Sequence, residues 1–299
     1  MGYKDLATID LHIHSNASDG TLSPSEIISR ACHLNLRAIS ITDHDTLEGS
    51  RAAIHAGIPS TVKFLSGVEI SASAPPSFLL SGSFHILGYG IRLEDPILDR
   101  ALKRLQIARE NRNPQIIDRL KQLGIDISLE ELQEEFGESQ LGRPHIAQLM
   151  VKKGFVASID EAFDSYIGKD KPAYVDKHRM SCADAIETID GAGGIAVLAH
   201  PYLLRTNDTD AFGKLLGHLK NLGLRGLEVF YPDHPRDETN FYATLAKRLG
   251  LLMTGGTDFH GNVNPDIEMG SGRGSFFVPY QLYEEIIKCF DRPGKQEVI

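Results

Sequence analysis

The stretch Ile9-Asp10-Leu11-His12-Ile13-His14, running on through Ser15-Asn16-Ala17-Ser18-Asp19-Gly20, decides how the rest of the chain is read. Leu6, Ala7, Ile9, Leu11 and Ile13 make a near-continuous apolar run, which predicts a strand close to the N-terminus. Strand side chains alternate between faces, so His12 and His14 emerge on the same face. Asp19 follows in a Ser/Asn/Asp/Gly segment that reads as a loop. Two imidazoles and a carboxylate at the end of a buried strand suit a divalent cation of intermediate softness. Two ordinary histidines on a half-exposed strand would look the same, so the other histidines decide.

Moving outward, residues 37–42 predict a strand that delivers Asp43-His44-Asp45 at its end. Residues 62–70 predict a third strand carrying Glu69, and residues 84–89 a fourth carrying His85. Later strands are expected at 194–199, ending in His200-Pro201, at 226–231, and at 251–257. The last of these ends in Asp258-Phe259-His260, which repeats the two-residue spacing of the opening. A final short strand is expected at 275–278. Helices are expected between them, the first opened by Ser23-Pro24-Ser25-Glu26, where Ser23 caps and Glu26 closes a capping box. Alternating strands and helices predict a parallel α/β sheet or barrel, in which ligands gather at the C-terminal strand ends.

Residues 95–180 break this rhythm. A long helical pattern over 95–123 contains Pro114, which is expected to end or kink it. Further helices are expected from Ser128, from Arg143 and over 159–166, with a strand signal only at 173–175. The chain therefore divides into an α/β part (1–94 and 181–299) and a helical insertion (95–180) that caps the substrate. The insertion has 14 lysines and arginines against 15 acidic residues, so the remainder holds almost all of the net charge of −9.

That charge argues against a general nucleic-acid-binding surface, although bound cations can invert the local field. No run approaches the roughly 20 apolar residues of a membrane span. The N-terminus lacks a signal-peptide pattern, and three cysteines far apart argue against a disulfide framework. A cytoplasmic setting is expected, with no membrane and no protein partner. Twelve histidines with no tryptophan is a skew that fits metal binding.

The candidate metal ligands are His12, His14, Asp19, His44, Glu69, His85, His200, Asp258 and His260. Nine are too many for one ion, so two or three are expected, with Glu69 able to bridge. Mixed imidazole and carboxylate ligands favour Mn²⁺, with Zn²⁺ or Fe²⁺ as alternatives. A water bridging two such cations loses a proton near neutral pH and becomes a nucleophile, so no nucleophilic side chain is needed. Asp10, Asp43 and Asp45 flank ligands and read either as acceptors that orient imidazoles or as capping residues. Glu228 reads as a buried, paired carboxylate. His234 follows a strand end and is a candidate to protonate a leaving group; His145 is a candidate substrate contact.

Asp10-Leu11-His12-Ile13-His14, Thr42-Asp43-His44-Asp45, Gly67-Val68-Glu69, Ala199-His200-Pro201 and Asp258-Phe259-His260 together resemble the ordered motifs of the PHP (polymerase and histidinol phosphatase) family. The resemblance implies a distorted seven-stranded (β/α) barrel whose two or three metal ions hydrolyse phosphate esters. It assigns His12, His14, Glu69 and Asp258 to one ion, Glu69, His85 and His200 to a second, and Asp19, His44 and His260 to a third. Glu69, Asp258 and His234 then become the expected catalytic residues.

Arg109-Glu110-Asn111-Arg112, Gly142-Arg143-Pro144-His145 and Lys171-Pro172-Ala173-Tyr174-Val175 look like the PHP phosphoesterases that act on nucleoside 3′,5′-bisphosphates. Arg109, Arg112, Arg143, His145 and Lys171 are thus the expected substrate contacts, and the 3′-phosphate the expected leaving phosphate. Alternatives are a 5′-to-3′ exoribonuclease of the ribonuclease AM type on short 5′-phosphorylated RNA, a histidinol-phosphate-type phosphatase, and a non-catalytic binding module.

Overall fold

Strand β1 (Ile9–Ile13) is buried along its whole length in the computed structural model, which describes residues 8–78, 80, 82–137, 140–206 and 208–290. Leu6 and Ala7, read as the start of this strand, lie outside the described residues. β1 pairs in parallel with β2 (Ala38–Ile41), and β2 pairs in parallel with β3 (Lys63–Phe64). A second sheet has the order β6 (Met180–Ser181), β4 (Gly67–Ser73), β5 (His85–Tyr89), β7 (Ile195–Leu198), β8 (Gly226–Phe230) and β9 (Leu252–Gly255).

Two short joints connect the sheets. The amides of His14 and Asp258 donate to the carbonyls of Phe259 and His12, and those of Glu69 and Asp45 donate to Asp43 and Glu69. These joints are isolated bridges, so the two sheets are not one continuous ladder.

Three strand expectations need correcting. Residues 62–70 form two strands, because the chain leaves the first sheet after Phe64 and joins the second at Gly67. A Cβ at Gly67 would lie 2.3 Å from Ser40 Oγ, so the crossing needs a residue without a side chain. β5 is antiparallel to both β4 and β7, since it returns from β4 with no helix between. His85 is therefore the first residue of its strand, and Glu69 the third of β4, rather than C-terminal residues. Among the described residues, 173–175 and 275–278 form no strand; β6 begins at Met180, and Val278 O accepts from Ile9 N and Thr8 Oγ1.

The helices cover the sheets. Ser23 and Glu26 form the expected capping box at α1 (Pro24–His33), whose Ile27, Ile28 and Ala31 enter the core. α2 (Glu48–Ala56) follows β2. α3 (Pro96–Gln122) runs unbroken through Pro114, against expectation. Its first half packs Leu98, Leu102 and Leu105 into the main core, and its second half packs Ile116, Ile117 and Leu120 into a separate cluster. Apolar anchoring on both sides offsets the hydrogen bond that proline cannot donate. α4 (Leu129–Phe136), α5 (Arg143–Lys152) and α6 (Ile159–Ala162), which passes into a π-helical turn over Phe163–Ile167, complete that second cluster. α7 (Cys182–Gly191), α8 (Thr209–Asn221), α9 (Arg236–Leu249) and α10 (Tyr280–Ile287) restore the α/β alternation. No described helix is long and apolar enough to cross a membrane.

Candidate active site

All nine candidate ligands converge. The Glu69 carboxylate lies at the centre, with Oε1 2.8 Å from His85 Nδ1 and 2.9 Å from His200 Nε2. Its Oε2 lies 2.8 Å from His44 Nδ1, 3.2 Å from His14 Nε2 and 3.5 Å from His12 Nε2. Asp258 Oδ1 is 3.1 Å from His14 Nε2 and 3.4 Å from His12 Nε2. Asp19 Oδ1 is 3.4 Å from His260 Nε2. Burial alone would raise Glu69; the imidazoles of His85, His44 and His12 outweigh it and hold the carboxyl well below its usual range.

Residues around the cluster fix the rings. Glu228, fully buried in β8, places Oε1 3.0 Å from His12 Nδ1 and accepts the His200 backbone N–H through Oε2 at 2.6 Å. The ring of His12 is thereby held with Nε2 toward Glu69 and Asp258. His260 Nδ1 lies 2.7 Å from the Asp258 carbonyl, leaving Nε2 for the Asp19 side. Asp45, His200 and Asp258 all have positive φ, at 55°, 23° and 54°. Such conformations cost about 1–3 kcal/mol each and persist where neighbours enforce them. Here the enforcing bonds are Asp45 N–H to Glu69 O, His200 N–H to Glu228 and Asp258 N–H to His12 O. Gly256 completes the frame, since a Cβ there would lie 2.3 Å from His12 N.

The donor set fits divalent ions. His12 Nε2, His14 Nε2, Asp19 Oδ1, His44 Nδ1, Glu69 Oε2 and Asp258 Oδ1 are buried and lack a good hydrogen bond among the described residues. Desolvated lone pairs aimed at one another are unfavourable unless a cation lies among them. The atoms fall into three groups: His14, Asp19, His44 and His260; His12, His14, Glu69 and Asp258; and His44, Glu69 and His85. Two of these contain expected sets. The third brings in His44 beside Glu69 and His85, while His200 meets them through its contacts with Glu69 Oε1 and with His85 Nδ1 at 3.2 Å.

A cationic pocket adjoins this cluster. Arg109 Nη2 and Lys177 Nζ contact Asp45 Oδ2 at 2.9 and 3.2 Å, next in the chain to His44. Arg112 is 4 % exposed, and its Nε has no hydrogen-bond partner among the described residues. Burial, with repulsion from Arg109, Arg143 and Arg179, pushes Arg112 down to about 9. Arg143 lies over the rings of Phe163 and Tyr174 at 5.4 and 5.6 Å and donates to Ile167 O. His145 accepts the Gly142 N–H through Nδ1 at 3.1 Å, so its neutral ring carries the proton on Nε2.

Lys171 is exposed on a turn, while Lys177 and Arg179, unremarked in the sequence, lie among the buried cations. Their signal was a basic alternation in Asp176-Lys177-His178-Arg179. His234 Nδ1 lies 2.9 Å from Val229 O, so its proton sits there and Nε2 holds a lone pair. Burial pushes His234 down to about 4, and its ring lies tilted against that of Tyr231 with 5.2 Å between centroids. Tyr231 was overlooked, and its hydroxyl donates to Asp258 Oδ2 at 3.2 Å. Asp10 and Asp43 orient loops rather than rings: Asp10 accepts from Thr257 and Gly270, and Asp43 from Ser15 and Ser18.

Comparisons with known proteins agree with this geometry. Residues 10–81 match the family model described as the PHP domain. The chain is 34 % identical to a 5′-3′ exoribonuclease of Haemophilus influenzae over 84 % of its length and 89 % of the relative's. It is also 34 % identical to a 3′,5′-nucleoside bisphosphate phosphatase of Chromobacterium violaceum, over 85 % and 88 %. Its fold matches a Bifidobacterium adolescentis protein, provisionally assigned as a metal-dependent phosphoesterase, with a TM-score of 0.79 and 26 % identity over 94 % and 96 % of the chains.

Proposed function

The chain belongs to the PHP family and is a metal-dependent phosphoester hydrolase; from that premise we propose that it removes the 3′-phosphate of nucleoside 3′,5′-bisphosphates. The observation that carries this reading is the cationic pocket beside the histidine and carboxylate cluster. A monophosphatase needs one anion site, whereas a bisphosphate needs two, and Asp45 anchors the second site one residue from His44.

We assign His12, His14, Glu69 and Asp258 to one ion, Glu69, His85 and His200 to a second, and Asp19, His44 and His260 to a third, with Mn²⁺ the ion of choice. Divalent ions bound there supply Lewis acidity, charge neutralisation and activation of water. The chain's own groups do the rest. Glu228 orients His12, and Tyr231 holds Asp258 through its hydroxyl. Arg109, Arg112 and Lys177, with Arg143 and Arg179 behind them, grip the 5′-phosphate, which arginine forks match through paired hydrogen bonds. His145 offers its Nε2–H to the substrate.

The same reading takes β1, β2, β4, β5, β7, β8 and β9 as seven strands of a distorted barrel, because the two bridge joints bring the sheet margins side by side. It takes 95–180 as a cap with its own apolar cluster, supported by the separation of that cluster from the main core. A reducing, cytoplasmic setting suits its three free cysteines.

The test is turnover by ion-loaded protein, read as phosphate release from adenosine 3′,5′-bisphosphate, 3′-AMP and 5′-AMP and as mononucleotide release from short 5′-phosphorylated RNA, with Asp258→Ala as the blank. The bisphosphate is expected to lead in kcat/KM by at least tenfold. Preference for RNA by that margin replaces the reading with exonuclease action. No turnover of any substrate by protein carrying its ions refutes it.

A further inference from the structure

A cleft of about 680 Å³ opens beside the cationic pocket, a size within the roughly 300–1,000 Å³ of small-molecule sites. One wall is α3, where Lys103, Gln106, Glu110 and Asn113 recur at helical spacing and line the cleft. Arg109 and Arg112 occupy the neighbouring face of the same helix. Gln106 ties the two sites together, since its Nε2 donates at 3.0 Å to the carbonyl of Asp45, the residue that holds Arg109.

The cleft differs in chemistry from the pocket. Its charged side chains are Lys103 against Glu48 and Glu110, a balance that repels phosphate. Carboxamides dominate instead. Asn113 is 2 % exposed; its Nδ2 donates to Leu141 O at 2.9 Å, which leaves Oδ1 as an acceptor without a partner among the described residues. Both amide atoms of Gln140, another lining residue, are buried and likewise have no partner among the described residues. Unpaired buried polar atoms cost about 1–3 kcal/mol each, a cost that a ligand bearing matching donors and acceptors removes.

We propose that this cleft is the nucleobase subsite, a placement that rests on the nucleotide reading above. A glutamine amide presents a donor and an acceptor side by side, the pattern that pairs with adenine N6 and N7. A half turn of the amide exchanges them, so the same residue meets a base edge of the opposite pattern. Asn113 Oδ1 adds a fixed acceptor for an exocyclic amino group. The nucleotide thus lies across α3, with its 5′-phosphate on the arginine face and its base on the carboxamide face.

The experiment is calorimetric binding of 5′-AMP and ribose 5-phosphate to the ion-loaded protein and to Gln140→Ala, with thermal melting to show that the variant folds. The two ligands share the phosphate and the sugar and differ in the base. Wild type is expected to bind AMP at least tenfold more tightly, and Gln140→Ala to reduce that ratio to less than threefold. Gln133→Ala, on α4 across the cleft, provides a second variant and is expected to lower the ratio as well. Equal affinity of wild type for the two ligands, or a ratio unchanged in both variants, overturns the base subsite. If AMP binds in this Gln140-dependent way while no bisphosphate is turned over, the subsite stands and the proposed reaction falls.

Discussion

Arg112 makes opposite demands on stability and on binding, and Arg112→Met separates them. Its guanidinium is 4 % exposed and sits among Arg109, Arg143 and Arg179. Burial, then that repulsion, lowers its proton affinity to about 9. The unfolded chain holds the proton more tightly, so the penalty is present in full below about pH 9 and fades only above it. At about 1.4 kcal/mol per pH unit the drop corresponds to roughly 4–5 kcal/mol in the ligand-free protein. Methionine keeps the apolar stem and removes the charge. After some loss of packing and dipole contacts, a net gain of about 1–3 kcal/mol in unfolding free energy is expected. The same change removes a desolvated phosphate partner, which is expected to cost about 2–4 kcal/mol in kcat/KM for the 3′,5′-bisphosphate, roughly 30- to 1,000-fold. Urea unfolding of the phosphate-free protein at pH 7 gives the first quantity. Steady-state kinetics on the bisphosphate and on 3′-AMP, which lacks the 5′-phosphate, give the second. A destabilised variant, or equal losses on both substrates, would refute the reasoning and make Arg112 a structural residue.

Glu69→Ala is expected to lower bound Mn²⁺ by at least one ion per chain and to abolish turnover; elemental analysis showing full occupancy would remove Glu69 from its bridging place. Gly256→Ala forces a methyl group to within 2.3 Å of His12 N, so a loss of about 2 kcal/mol or more in stability is expected, measured by urea unfolding. Burial and the nearby Arg109 push Lys177 down to about 7 despite Asp45. Its charge is therefore lost as pH rises through 7, while the unfolded lysine stays protonated to about 10. Between those values the unfolded chain binds more protons, so stability rises with pH while 5′-phosphate affinity falls. Calorimetric AMP affinity is expected to drop from pH 6.5 to 8.5 in wild type and to stay flatter in Lys177→Gln; parallel curves would exclude Lys177 from the pocket.

Most of the histidine and carboxylate cluster was legible in the chain because its members, Asp19 apart, stand beside apolar runs, and strand alternation puts His12 and His14 on one face. Asp258 and His260 lie past the end of β9, Asp258 with a positive φ, so their convergence rests on tertiary bonds. The Ser23 and Glu26 capping box was legible as well, since its partners are three residues apart. What reads correctly is local. The antiparallel course of β5 was not local: it depends on which neighbours β5 pairs with, and it moves His85 to the start of its strand without moving it from the site. Pro114 was misread because helix rules see the missing N–H and not the two apolar clusters that hold α3 on either side. The sequence offered both Arg143 and Lys171 as substrate contacts. Only tertiary packing leaves Lys171 in solvent, lays Arg143 over two rings, and buries Arg112 with no carboxylate of its own among the described residues. Ligand type is written in side chains and their spacing; charge state, tautomer and exposure depend on what the fold brings within a few ångströms, and those decide the role each residue plays.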